Sequence, residues 1–96
     1  MSPKEDLLSK LRNLKSQLAK KYPITAMALF GSFSRGDQLE NSDIDILVEI
    51  DGKIGSRFID LAEELESELG RKVDLISKNG IKPRYFNSIE QDLIYV

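Results

Sequence analysis

The sequence predicts an α/β (α+β) fold, a single two-layer domain in which helices pack against a mixed β-sheet in the order α-β-β-α-β-α-β. Three observations lead there. Leucines at helical spacing open the chain; apolar runs of strand length stand at Ile24 to Phe30, Asp43 to Ile50 and Lys72 to Ser77; and a second helical stripe divides the last two runs. A strand, a helix and a further strand make a crossover, which sets parallel strands in one sheet. Ninety-six residues hold material for one hydrophobic core, so residues 1–96 are expected to form one domain.

Ser2-Pro3-Lys4-Glu5 is a capping box, with Ser2 able to accept from the Glu5 amide and Pro3 suited to the first helical position. Leu7, Leu8, Leu11, Leu14 and Leu18 then share one face, and the stripe runs out near Lys20-Lys21, ahead of Pro23. Ile24 to Phe30 is almost continuously apolar, as a strand covered on both faces would be. From Gly31 to Ser42 the chain reads as a loop, with a helical turn that starts at Ser32 and ends at Gly36. Asp43 to Ile50 is the second strand, and Asp51 to Gly55 a turn. Ser56 is placed to cap a helix carrying Phe58, Leu61, Ala62, Leu65 and Leu69 on one face, and Gly70 to end it. Lys72 to Ser77 forms the third strand, Lys78-Asn79-Gly80 a turn, and the tail a short helix after Pro83 with a last strand at Leu93 to Val96.

With 41% hydrophobic and 31% charged residues the composition is that of a soluble globular protein. The chain has neither cysteine nor histidine. A general base must then be a carboxylate, a lysine or a tyrosine, and a metal must accept oxygen ligands, which favours magnesium or manganese over zinc. A net charge of −2 supplies no broad positive field, so direct binding of nucleic acid is not expected. No apolar run approaches the ~20 residues of a membrane span, and Met1 to Lys10 lacks the features of a signal peptide. No membrane association and a cytoplasmic location are the expectation.

The chemistry-bearing residues are Gly31 and Ser32, followed after ten residues by Asp43-Ile44-Asp45. Gly31 follows a buried strand and leaves room for backbone and the Ser32 hydroxyl to approach phosphate oxygens. Two acids on one strand face, with α-carbons ~6.7 Å apart, can converge on a pair of divalent cations while Ile44 and Ile46 face the core. A neighbouring strand ~4.8 Å away can add a third carboxylate, and Asp74, which interrupts the apolar third strand, is the candidate. Its alternative is a salt bridge to Arg71 or Lys72. Arg35, one helical turn after Ser32, either reaches the same phosphates or pairs with Asp37 or Glu40. Lys78, Lys82 and Arg84 read as a basic surface following the Asp74 strand.

The string Leu29 to Gly36, followed by Asn41 to Val48, resembles the signature of the DNA polymerase β-like nucleotidyltransferase superfamily, above all its minimal members, the MNT-domain proteins. The likeness runs from about Ile24 to Ile76. It implies that Gly31 and Ser32, joined by Arg35, bind the nucleotide, and that Asp43, Asp45 and Asp74 are the catalytic acids of a two-metal Mg2+ site, with Mn2+ as an alternative. Minimal members are often antitoxins whose partner is a HEPN-domain toxin, and some transfer AMP from ATP to a tyrosine of that toxin. The resemblance therefore implies a protein adenylyltransferase that uses ATP and releases pyrophosphate. Two other readings stand beside it: an antitoxin that neutralises its toxin by binding alone, and nucleotidyl transfer to a small hydroxylated molecule. A short chain offers little wall for a small-molecule pocket, which favours a macromolecular acceptor. An oligomer is compatible with the sequence.

Overall fold

The computed structural model describes residues 2–96. In chain order it contains α1 (Pro3–Leu18), β1 (Ile24–Phe30), α2 (Ser32–Arg35), β2 (Ile44–Ile50), α3 (Arg57–Leu69), β3 (Val73–Ser77), α4 (Pro83–Ile89) and β4 (Ile94–Tyr95), with 3-10 turns at Lys78–Gly80 and Glu90–Asp92. The expected mixed sheet is present, in strand order β3-β2-β1-β4. β1 runs antiparallel to β2 and to β4, whereas β2 and β3, joined through α3, are parallel.

Alternation along the strands sorts side chains to two faces. Ile44, Ile46, Val48 and Ile50 of β2 join Met27 and Leu29 of β1 and Val73 of β3 on one face, against Leu8, Leu11, Leu14 and Leu18 of α1 and Leu61 and Leu65 of α3. Full burial of each such side chain stabilises by roughly 1.5–3 kcal/mol, so this face carries most of the fold. Ala28, Phe30 and Leu47 face the other way, where Phe86 and Ile89 of α4, with Ile76, Ile81 and Leu93, form a smaller cluster. Asp45 and Asp74 lie on this second face, next in alternation to Leu47 and Ile76.

Several local expectations shift by a residue or two. The Ser2 side chain accepts from the Glu5 amide at 3.2 Å, but α1 stops at Leu18, because a tight turn sends Tyr22 into the core. Lys20 and Lys21 therefore lie beyond the helix, and Lys21 pairs with Glu64 of α3. Ser56 makes no side-chain cap; it already has helical dihedrals (φ −64°, ψ −17°), and its carbonyl accepts from the Ile59 amide. Gly70 does end α3 in the left-handed conformation, at φ 65°. β4 is shorter than expected, although the Val96 amide extends the pairing by donating to the Met27 carbonyl at 2.9 Å.

Candidate active site

Three adjacent strands place the candidate residues in one row. Phe30, the last residue of β1, is the register partner of Asp45, and Asp45 is in turn the register partner of Asp74. The crossover through α3 thus brings the third acid beside the second. Asp43 lies just outside β2, since the strand begins at Ile44, whose amide donates to the Lys72 carbonyl at 2.9 Å. The expected strand start at Asp43 is corrected by one residue: its placement comes from the preceding loop.

Gly31 turns the chain out of β1 at φ 75°, ψ −152°, a region essentially reserved for glycine. Space excludes any other residue as well, because a Cβ here would lie 2.0 Å from Asp45 Oδ2. The backbone of the Gly-Ser turn is therefore in direct contact with the Asp45 carboxylate. Ser32 then opens α2, a single helical turn closed by Gly36 in the left-handed conformation (φ 84°).

Asp45 is half buried, and its carboxyl is pushed up to about 6, chiefly by burial, then by the charges of Asp74 and Asp43; Arg35 opposes the rise. Asp74 and Asp43 thus each repel the Asp45 carboxylate. Among the described residues no three acidic side chains are gathered closely enough to hold a metal ion by themselves. The donor set is all oxygen, like charges face each other, and Gly31 leaves its side-chain space to the Asp45 carboxylate, so the residues suit a divalent cation.

Asp74 is exposed and forms no ion pair among the described residues, so its salt-bridge alternative is not found. Arg71 turns elsewhere, donating from Nη1 to the carbonyls of Glu40 and Ser42. Arg35 does pair with Asp37 (Nε to Oδ2, 3.0 Å), and also with Asp92 (Nη1 to Oδ2, 2.7 Å). The Ser34 hydroxyl donates to the Asp92 carbonyl, fastening α2 to the tail. Lys78 sits 3.8 Å from Glu49 and over the Phe86 ring, while Lys82 and Arg84 are exposed. Sequence reasoning missed Asp92 and the role of Arg71, since neither belongs to a local pattern.

An apolar pocket of about 420 Å3, lined in part by Ile54, Phe58, Leu75, Ile76 and Ile81, opens beside β3 toward its C-terminal end. Asp74 is near the other end of that strand.

Comparison with known proteins sets this geometry in a family. The family model described as a nucleotidyltransferase domain matches residues 11–96. A protein of Methanocaldococcus jannaschii, provisionally named a protein adenylyltransferase, is 51% identical over 90 residues, covering 90% of each chain. A solved structure provisionally described as a minimal nucleotidyltransferase superposes with a TM-score of 0.81 at 30% identity, covering 97% of this chain and 95% of its own. A chain from the complex of a tri-AMPylated Shewanella oneidensis HEPN toxin with an MNT antitoxin superposes at 0.68, with 25% identity over 93% of this chain and 69% of that one. A family match that extends from the middle of α1 to the last residue takes in the glycine turn and all three acids, and the chain belongs to the nucleotidyltransferase domain family, an enzyme of that class.

Proposed function

We propose that the chain is a Mg2+-dependent protein adenylyltransferase that moves AMP from ATP to a hydroxyl, a tyrosine of a HEPN-domain toxin encoded with it, and so acts as the antitoxin of a two-component module in the cytoplasm. The observation that carries the reading is the register row, in which Asp45 faces Asp74 across β2 and β3 while its carboxylate lies against the glycine turn. The adenylyltransferase name of the 51% identical relative and the toxin complex among the structural neighbours support the acceptor class.

In this reading Asp43, Asp45 and Asp74 hold Mg2+, which when bound neutralises phosphate charge and orients the triphosphate. Ser32 and the backbone at Gly31 orient the β- and γ-phosphates, and Arg35, paired with Asp37 and Asp92 in the free protein, exchanges those partners for phosphate oxygens. The acceptor oxygen forms a bond to the α-phosphorus as the bond from that phosphorus to the bridging oxygen of pyrophosphate breaks. The hydroxyl proton passes to Asp74, the exposed acid of the row, and pyrophosphate leaves.

The test mixes the protein with its toxin and Mg-ATP and reads intact mass. The toxin should gain one or more AMP units, and none when Mg2+ is chelated. An inhibited but unmodified toxin would establish the binding-only antitoxin instead. In parallel, Mg-ATP should raise the melting temperature in a concentration-dependent way, and ATP with chelator much less; equal stabilisation would remove the acids from metal binding.

A further inference from the structure

Resting on that reading, we infer that Arg71 is a positioning residue that holds Asp43, the acid that precedes β2, at its working separation from the Gly31-Ser32 turn. Arg71 stands in the short connection between α3 and β3, outside both motifs. Its Nη1 donates to the carbonyl oxygens of Glu40 at 2.7 Å and Ser42 at 2.9 Å, and Ser42 immediately precedes Asp43. The same guanidinium lies over the Phe33 ring, 5.2 Å from its centroid, and Phe33 immediately follows Ser32. One planar group therefore touches the neighbour of the phosphate-turn serine and the neighbour of the first acid.

Bonds within the loop do not supply this tie. The Leu39 amide donates to Ser42 Oγ at 2.8 Å and the Ser42 amide to the Leu39 carbonyl at 3.1 Å, which closes the turn on itself without joining it to α2. Asp43 precedes the β2 ladder, so its position is inherited from this loop rather than from strand pairing. Arg71 is in turn anchored, because the next residue, Lys72, accepts from the Ile44 amide where β2 and β3 begin to pair. A guanidinium suits this role because its flat face stacks on an aromatic ring while its edge donates in a fixed fork, and a lysine ammonium does neither. Committed to these carbonyls, the guanidinium makes no ion pair with Asp74, which stays open to the reaction centre.

The test compares wild type with Arg71→Ala and Arg71→Lys, all as the full chain. Circular dichroism and melting temperature report whether each folds. Amide hydrogen exchange over residues 39–43 without nucleotide reports loop order, and calorimetric titration with Mn-ATP reports the site. Arg71→Ala should exchange faster in this segment and bind Mn-ATP about 10-fold or more weakly, as loss of an outer-shell partner of a metal ligand typically does. Arg71→Lys should fall between the two. Should the alanine variant not fold, the lysine variant carries the comparison, since it keeps the charge and loses the stacking. Unchanged exchange overturns the inference, and so does faster exchange with unchanged Mn-ATP affinity. Failure of wild type to bind Mn-ATP would sink the proposed function instead, and the exchange comparison would then decide the role of Arg71 in the loop by itself.

Discussion

A methyl group on Gly31 would meet Asp45 Oδ2 at 2.0 Å from a backbone conformation that side-chain-bearing residues avoid. Gly31→Ala is therefore expected to destabilise the fold by roughly 1–3 kcal/mol through backbone strain, and to displace Asp45 as well. Chemical denaturation should show the first effect, and loss of Mg-ATP stabilisation the second. Asp45 makes a prediction with a definite sign. Its native carboxyl, at about 6 against an ordinary 3.8, keeps a proton that the unfolded chain has already released. That preference favours the native state fully below the ordinary value and is lost as pH rises through about 6. In metal-free protein, Asp45→Asn should be more stable than wild type at pH 7.5, and the advantage should fade toward pH 4. Urea midpoints in the presence of chelator measure it; a constant difference would mean that burial and the neighbouring charges do not raise the Asp45 carboxyl.

α2 has only the four residues Ser32–Arg35, far too few to persist alone. Ser34 and Arg35 hold it through Asp92, a residue of the second 3-10 turn, while the Phe33 ring lies under Arg71. The element that presents Ser32 is thus kept in place by residues distant in sequence. Asp92→Asn keeps the carbonyl that Ser34 uses and removes only the charge that competes for Arg35. Loss of this partly exposed pair should change stability little, and Mg-ATP should bind a few-fold more tightly if Arg35 serves the phosphates. Weaker binding would assign Arg35 to α2 instead. The contrast explains what the sequence revealed. Helices and strands come from repeating local patterns, and α1, β1, α3 and β3 were readable within a residue or two. Side chains that bond distant carbonyls, as Ser34, Arg71 and Lys15 do, leave no periodic trace. Ser56 carries the residue type of a cap without its geometry, because the turn before α3 is already helical.

Across the whole molecule, the placing of Asp74 beside Asp45 was legible in outline, since a parallel crossover can bring β3 beside β2; the pairing of Phe30 with Asp45 was not. Its register was not, because pairing offset depends on how α3 spans the sheet and on which residues reach the core. That register has a further consequence, for folding. Shifting β2 by one residue would turn Ile44, Ile46, Val48 and Ile50 away from the leucines of α1 and α3 and drive Asp45 and Glu49 into that apolar layer. A buried carboxylate without a partner is among the heaviest penalties a fold can incur. Asp45, assigned to chemistry, thus joins Glu49 in disfavouring a mispaired sheet, and a β2 made uniformly apolar would lose the distinction between its correct alignment and its neighbours.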